Sequence, residues 1–327
     1  MKIDIIDAGH GDCLLVTCGE TLILIDSGPK SLKVRKVLIE RLTKLLNGRY
    51  VDIAVVTHND DDHIGGFKYL IDSGIIIKYF IFNSIELLPK IFKQKSNTKK
   101  ISFRQDSQLN KLLNEQSIKL GTFQFEDSPI ELNELKFIAL TPNDIILSKL
   151  NETVEKKKKK IAGKKIVEPD IKSCLEEIRS GKDNFEEDSS ITNKSSISFI
   201  LEYKGKRAIF LGDCHPSDII IALKNKQLEN INFDVVKLSH HASHKNTSKE
   251  LIRLLGKTEY IICADKSHHG HPNNKTIGRI LSFNSDAKFH LSADNEKLKS
   301  IFNECTSLGY SITTTLPEQG VNKVFYE

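Results

Sequence analysis

Residues 55–66 read Val55-Val56-Thr57-His58-Asn59-Asp60-Asp61-Asp62-His63-Ile64-Gly65-Gly66. The apolar run from Val51 to Val56 is typical of a strand buried on both faces, and the chain turns polar where this run ends. In an extended chain alternate side chains point to one side, so His58 and Asp60 can face the same way. Imidazole and carboxylate groups at a strand end are suitable ligands for Zn²⁺ or Mn²⁺. An acidic loop that caps a helix is the alternative interpretation, and it leaves the two histidines unexplained.

Three later apolar runs also end in polar side chains of these kinds. The run 208–211 leads to Asp213, the run 235–238 leads to His240 and His241, and the run 260–263 leads to His268, His269 and His271. A carboxylate at a strand end can bridge two metal ions ~3.5–4 Å apart, and neutral imidazoles can move protons. Taken singly, each position also fits a turn residue or a structural histidine. However, seven of the eleven histidines lie between His240 and His290, which favours a site.

Composition sets the broad class of the protein. In 327 residues, 39% hydrophobic and 28% charged content allow a sizeable core and exclude general disorder. The net charge of +5 permits a polyanionic partner without requiring one. No apolar run reaches the ~18 residues of a membrane span, and the first residues do not resemble a signal peptide. The six cysteines form no CxxC pair, so we expect free thiols, no zinc ribbon and a cytoplasmic location.

The order of the predicted elements indicates an α/β fold. Strands flank helices in both halves of the chain, which is typical of a layered sandwich, and we expect one domain over residues 1–327. Residues 90–187 are rich in Lys, Asn, Ser and Glu and include five consecutive lysines, Lys156 to Lys160. We interpret this range as an insertion between the two halves, with a strand from Leu135 to Leu140 inside it.

Together these motifs resemble the metallo-β-lactamase superfamily, and within it the branch that includes the hydrolase domain of the ComEC/Rec2-type competence proteins. The resemblance covers residues 1–70 and 190–275 and implies an αββα sandwich. The matching motifs are Asp7-Ala8-Gly9-His10-Gly11-Asp12-Cys13, Leu24-Ile25-Asp26-Ser27-Gly28, Thr57 to Gly66, Asn193-Lys194-Ser195-Ser196, Leu211-Gly212-Asp213, Lys237-Leu238-Ser239-His240-His241-Ala242-Ser243 and Gly270-His271-Pro272.

The resemblance implies a role for each matching residue. His58 and Asp60 would belong to a first metal site, Asp62 and His63 to a second, with Asp213 bridging them and His240 completing the second. Behind the ligands, Asp26, His241 and Asn193 would orient them. The residues expected to act in catalysis are Asp62, His268, His269 and His271.

The chain departs from the family pattern at the first metal site. Asp60 stands where the signature has a second histidine, and the usual third histidine of that site has no counterpart. Two divalent ions, Zn²⁺ or Mn²⁺, are expected, but the oxygen-rich first site favours Mn²⁺ or Mg²⁺ or binds weakly. The membrane channel of the competence proteins also has no counterpart, so a role in DNA uptake is not expected.

The expected activity is hydrolysis of a phosphodiester in DNA or RNA. A hydroxide between the two ions would attack phosphorus, and Lys156 to Lys160 would follow the nucleic-acid backbone or form a solvated loop. The alternative is a hydrolase of a small thioester, lactone, amide or nucleotide on the same fold. A non-catalytic module is less favourable, since buried ligand side chains cost stability without metal. The chain contains neither a Gly-x-Ser-x-Gly elbow nor a P-loop motif.

Overall fold

The fold is described from a computed structural model, which covers residues 1–88, 104–153 and 168–327. Two mixed β-sheets lie face to face, and helices cover their outer faces, so the predicted αββα sandwich is confirmed. The five lysines from Lys156 to Lys160 lie outside the described residues.

The first sheet has seven strands in the order β15-β1-β2-β3-β4-β5-β6. Strands β1 to β3 form two antiparallel hairpins, whereas β3 to β6 run parallel. The elements of this half are β1 (Lys2–Ile6), β2 (Leu14–Cys18), β3 (Thr21–Ile25), α1 (Leu32–Leu46), β4 (Val51–Val55), α2 (Asp61–Ile64), α3 (Phe67–Asp72), β5 (Ile77–Ile81), α4 (Arg104–Glu115) and β6 (Lys119–Gly121).

The second sheet has eight strands in the order β14-β13-β12-β11-β10-β9-β8-β7. Strands β10 to β14 run parallel, and the last strand of the chain, β15, returns to pair with β1. The elements of this half are β7 (Ile130–Leu132), β8 (Leu135–Thr141), α5 (Asp144–Thr153), α6 (Ile171–Arg179), α7 (Ile191–Lys194), β9 (Ser198–Tyr203), β10 (Lys206–Phe210), α8 (Pro216–Asn225), β11 (Val235–Lys237), α9 (Lys249–Leu255), β12 (Glu259–Ile262), α10 (Asn274–Phe283), β13 (Lys288–Leu291), α11 (Glu296–Ser307), β14 (Thr313–Thr315) and β15 (Val321–Phe325).

Successive side chains of a strand point to opposite faces of its sheet, so one set packs between the sheets and the other packs under the helices. In β3, Ile23 and Ile25 enter the core between the sheets, whereas Leu22 and Leu24 pack under the helices of the first half. Because both faces are buried, the strand reads as a continuous apolar run rather than an alternating one. The parallel strands β4, β10, β11 and β12 end at the same side of the sandwich, which brings the four predicted polar clusters together.

Parts of the predicted insertion belong to the sheets. Strand β6 extends the first sheet, and β7 and β8 form one edge of the second, where the predicted strand from Leu135 is confirmed. The single domain and the insertion between 90 and 187 stay predictions. None of the helices within the described ranges is both long and apolar enough to cross a membrane. All six cysteines are free and buried.

A buried ion pair between Asp183 and Arg279 joins the end of the predicted insertion, residues 90–187, to the second half of the chain. Asp183 accepts hydrogen bonds from Arg279 Nε and Nη2 at 2.9 and 2.8 Å, and both side chains are covered. The same guanidinium donates to the carbonyls of His244 and Thr247, in the loop that follows the tandem histidines. Burial alone would raise the pKa of Asp183, but the hydrogen bonds and charge of Arg279 lower it.

We predict that Asp183→Ala destabilises the protein by about 3–5 kcal/mol, because it leaves the Arg279 guanidinium buried without its counter-ion. Glu186→Ala is the matched control, since it removes only an exposed ion pair with Lys245 and should cost less than about 1 kcal/mol. Urea unfolding measures both variants.

The same ion pair gives the stability a pH dependence. A carboxylate whose pKa is lowered by folding stabilises above its unfolded pKa of about 4, and this stabilisation disappears as the pH falls below that value. The difference in unfolding free energy between wild type and Asp183→Ala should therefore shrink between about pH 5 and pH 2. A difference that stays constant over this range would contradict the assignment.

Candidate metal centre

The loop between β4 and α3 presents the first ligands. His58 and His63 are buried, and α2 begins directly after Asp60. The backbone carbonyl of His63 accepts hydrogen bonds from the backbone nitrogen and Oγ of Ser27, which joins this loop to the end of β3. A Cβ atom on Gly66 would lie 2.1 Å from the Ser27 carbonyl oxygen, so the two loops can pack this closely only with glycine there.

Asp213 lies at the centre of the site, at the end of β10. Its carboxylate faces imidazoles from both halves of the sandwich. The separations are 3.6 Å from Oδ2 to His58 Nε2, 3.3 Å from Oδ1 to His63 Nε2, and 3.8 and 4.0 Å from Oδ2 to Nε2 of His240 and His241. Asp60 lies beside His58, with 3.7 Å between Oδ2 and Nε2.

The tandem histidines point to different parts of the site. Both have left-handed backbone angles, with φ of 48° at His240 and 55° at His241, which non-glycine residues rarely adopt. His240 Nε2 approaches the Asp213 oxygen that also faces His58, whereas His241 Nε2 lies 3.1 Å from Asp62 Oδ2. The sequence predicts His240 at the second site and His241 behind it, but the structure brings His241 against Asp62.

The arrangement of donors fits a metal. His58 Nε2, His63 Nε2 and Asp213 Oδ1 are buried without a hydrogen-bond partner, and the three side chains offer ligand atoms within 4.8 Å of one another. Unpaired buried polar atoms are costly, and imidazole nitrogens with carboxylate oxygens are the donors that Zn²⁺ and Mn²⁺ accept. The predicted ligands therefore converge, although their roles as ligands stay predictions.

A second group of three, Asp12, His63 and His241, also has ligand atoms within 4.8 Å. The Nδ1 atoms of both rings, which face Asp12, are already used. His63 Nδ1 donates to Asp26 Oδ2 at 2.8 Å, and His241 Nδ1 donates to the Cys263 carbonyl at 2.8 Å. We therefore assign this group to the support of the site rather than to a metal.

Hydrogen bonds behind the ligands fix their tautomers. Asp26 also accepts from the backbone nitrogen and Oγ1 of Thr57, at 2.8 and 2.7 Å, as its predicted orienting role requires. His240 Nδ1 donates to Asn246 Oδ1 at 2.9 Å. In each of His63, His240 and His241 the Nδ1 atom is thus engaged, so Nε2 is the atom that faces the site, where that of His241 bonds Asp62 Oδ2.

Two carboxylates that support the site, Asp188 and Asp12, have no role assigned from the sequence. Asn193, predicted behind the ligands, donates to Asp188 Oδ2 at 2.7 Å and lies 3.4 Å from His240 Nδ1. Asp188 also accepts from Asn246, so it holds both amides that surround His240. Asp12 lies under His63 and His241 and forms a buried ion pair with Lys237. Both carboxylates act through tertiary contacts with residues far away in sequence.

Charge is balanced inside the cluster. Burial would raise the pKa of Asp12, but Lys237 and the neighbouring imidazoles lower it to about 2. Burial likewise opposes ionisation of Asp213 and His63. Even so, His63 and the other imidazoles hold the pKa of Asp213 well below its ordinary value, and Asp213 and Asp26 raise the pKa of His63. Protons and metal ions compete for such a site.

The predicted catalytic histidines lie in the loop after β12. His268, His269 and His271 line a cavity of about 20 Å³ together with Asp62, His240 and His241. His271 is the innermost, with its ring centroid 5.2 Å from that of His240, and burial lowers its pKa to about 2. His268 and His269 are exposed. His10, from the loop after β1, lines the same cavity.

Comparisons with known proteins agree with this architecture. The model of the metallo-beta-lactamase superfamily matches residues 6–265. Among curated proteins, ComE operon protein 3 of Bacillus subtilis (strain 168) is 24% identical over 294 residues. The match covers 84% of this chain and 30% of that protein, so the chain spans less than a third of the length of this relative.

Solved structures with a similar course of the chain have low sequence identity. Zinc-bound PqqB from Methylobacterium extorquens has a TM-score of 0.47 at 12% identity, and the match covers 100% of both chains. A diphosphatase of the PhnP family has a TM-score of 0.44 at 13% identity, over 100% of this chain and 98% of that one.

We predict that Lys237→Met destabilises the protein by about 3–5 kcal/mol, because the buried Asp12 carboxylate loses its counter-ion. The double variant Asp12→Asn/Lys237→Met removes both charges and should recover part of this loss. Urea unfolding of metal-free protein measures both. A double variant that is no more stable than Lys237→Met would show that the pair is not coupled.

Proposed function

The chain belongs to the metallo-β-lactamase superfamily, and we propose that within it this protein is a metal-dependent phosphodiesterase that acts on DNA or RNA. The observation that carries the proposal is a ligand cluster rich in oxygen next to a basic surface. Asp60, Asp62 and Asp213 supply carboxylates, and the start of α1 with its preceding loop lies against the ligand loop.

The basic surface that we propose comprises Lys30, Lys33, Arg35, Lys36 and Lys68, of which Lys30 and Lys68 also pair with Asp61 and Asp72. The backbone nitrogen of Lys30 lies 2.5 Å from where a Cβ atom on Gly65 would be, so this surface begins directly beside the ligand loop. Lys30 and Lys68 line one groove with Tyr69, and the Arg35 guanidinium stacks 3.7 Å above the Tyr69 ring. Cationic side chains next to a hydrolytic site are suited to a phosphate backbone.

The proposed metal ligands fall into two sets that share Asp213. His58 and Asp60 form the first set, and Asp62, His63 and His240 form the second. His240 and His241 both approach Asp213 Oδ2, which His58 also faces, whereas His63 approaches Oδ1. Divalent ions bound there would lower the pKa of a water molecule and neutralise charge on phosphoryl oxygens. The carboxylate in place of a histidine at Asp60 supports Mn²⁺ or Mg²⁺ at the first set, and the imidazoles of the second set support Zn²⁺ or Mn²⁺.

The protein itself orients the reacting groups. Asp26, the Cys263 carbonyl and Asn246 orient three of the imidazoles around Asp213, those of His63, His241 and His240. His271 is neutral at pH 7, because its pKa is about 2, so it is suited to donate a hydrogen bond to a phosphoryl or leaving oxygen. It is the member of the predicted catalytic histidines that we propose for contact with the substrate. The free, buried cysteines support a cytoplasmic location.

A small-molecule hydrolase is the second candidate. The cavity of about 20 Å³ beside Asp62 is the observation that favours it. However, ligand pockets usually measure ~300–1,000 Å³, so this cavity suits one group of a larger substrate better than a whole molecule. Turnover of a chromogenic ester without cleavage of any nucleic acid would favour this candidate over the phosphodiesterase.

We predict that wild-type protein with Mn²⁺, Mg²⁺ or Zn²⁺ cleaves end-labelled DNA or RNA, and that Asp62→Asn lowers the rate by at least about 100-fold. The substitution removes a carboxylate from the cluster while it keeps the size of the side chain. His290→Gln is the control, because this buried histidine bonds Glu259 and Thr315 away from the site. Equal cleavage by wild type and Asp62→Asn would place the activity elsewhere.

We predict that the basic surface contributes to nucleic-acid binding through the positive charge of its side chains. Binding of labelled DNA to Asp62→Asn protein avoids cleavage during the measurement. Adding Lys33→Ala and Lys36→Ala should weaken binding and reduce the slope of log K against log salt by roughly 1–2. Lys224→Ala with Lys257→Ala is the control, because these exposed lysines pair with Glu250 and Asp286 elsewhere. An unchanged slope would remove this surface from the proposal.

A further inference from the structure

Eight of the eleven histidines form one continuous series of ring contacts. The series runs from the exposed rim of the site to its most buried ligands, with successive centroids between 4.2 and 6.1 Å apart. Its order is His10, His268, His269, His271, His240, His241, His63 and His58. The inner members are explained by the metal centre, whereas the outer members need a separate explanation.

We call His10, His268 and His269 the outer triad. His10 comes from the loop after β1, and the other two come from the loop after β12, so the triad joins the two halves of the fold. Within the described part of the chain, no hydrogen bond engages their ring nitrogens, in contrast to His63, His240 and His241. The rings of His268 and His269 are exposed, so they can turn about their side-chain bonds at little cost.

The charges around the triad favour a cation. The cavity that the triad lines also contains the carboxylates of Asp62 and Asp265. Asp265 Oδ1 accepts from the backbone nitrogen and Oγ of Ser267, at 2.8 and 2.5 Å, which fixes the carboxylate in the same loop. Among the described residues, the lining of this cavity includes no lysine or arginine.

The nearest lysine in sequence points elsewhere. Lys266 Nζ donates to Glu168 Oε2 at 2.7 Å and to the Pro272 carbonyl at 2.8 Å. The outer part of the cavity, with Asp265 and, among the described residues, no such cationic side chain, is not suited to a phosphate, which the proposed function places further in, at His271. Imidazoles and carboxylates without a cationic side chain are instead the donor set of a transition-metal ion.

We propose that the outer triad, with Asp265, binds a third divalent cation of the kind that prefers imidazole, such as Zn²⁺. His271 lies between this ion and the buried cluster, so the rim site is the position that an ion entering the cavity reaches first. The inference does not rest on the proposed substrate. Among the described residues, the groups whose ligand atoms already lie within 4.8 Å of one another belong to the buried cluster. Ion binding at the rim therefore requires the exposed rings of His268 and His269 to turn towards His10 and Asp265.

The test counts the Zn²⁺ ions that metal-free, full-length protein binds in equilibrium dialysis. The triple variant His10→Gln/His268→Gln/His269→Gln should bind one ion fewer per chain than wild type, while circular dichroism shows that it folds. His244→Gln/His290→Gln is the matched control and should bind as many ions as wild type. Equal numbers for wild type and a folded triple variant would overturn the proposal, as would an equal loss in the control.

A second pair of variants separates the rim from the buried cluster. His63→Ala/Asp213→Asn removes two central groups of the cluster, and this variant should keep one Zn²⁺ that disappears when the triple substitution is added. With Mn²⁺ in place of Zn²⁺, the triple substitution should leave the number of bound ions unchanged, because Mn²⁺ prefers oxygen ligands. If no ion remains after His63→Ala/Asp213→Asn, the rim does not bind independently and the proposal fails. Nucleic-acid cleavage enters none of these measurements, so failure of the phosphodiesterase proposal would be seen separately.

Discussion

The site depends on one buried carboxylate that faces histidines from both halves of the sandwich. Asp213 ends a strand of the second sheet, yet two of the imidazoles around it come from the loop after β4 in the first. Its charge is favourable only while cations or protons surround it, because burial alone would cost several kcal/mol. The two sheets must therefore pack in the correct relative position before the site can form. Any metal bound there would also stabilise the packing of the two halves against each other.

The polar groups beneath the ligands restrict this arrangement further. Asp12 and Lys237 are paired in the core, and Asp26 holds both Thr57 and His63. Such groups leave few alternative packings, since each one loses its partner if a loop shifts. The left-handed backbone at His240 and His241 adds local strain, and it lets two adjacent imidazoles approach the same oxygen of Asp213 while His241 also reaches Asp62. Stability is thus sacrificed locally to place functional groups with precision.

The fold and most of the cluster could be predicted from the sequence, because strands buried on both faces read as apolar runs and polar residues follow directly where they end. Asp213 and His63 can be identified as site residues in this way. The pairing of Asp12 with Lys237 cannot be predicted in this way, since Lys237 lies 225 residues away and reads as part of a strand. Which groups His240 and His241 contact depends on the left-handed φ angles of both residues, and these angles cannot be read from the residue types. Asp183 lay in a polar stretch with no periodicity, so its partner Arg279 could be found only from the fold.

The distribution of donor atoms bears on how the site discriminates between metals. The centre around Asp213 combines carboxylates with imidazoles, whereas the rim around His268 carries imidazoles whose ring nitrogens form no hydrogen bond within the described part of the chain. Imidazole nitrogens favour borderline ions such as Zn²⁺, whereas a mixed set of imidazoles and carboxylates also accepts harder ions that prefer oxygen ligands. Since the superfamily's fold supports many reactions, substrate choice must come from surfaces outside this centre. The basic surface that begins at Lys30 touches the ligand loop itself, and for that reason it is a better guide to the substrate than the cluster.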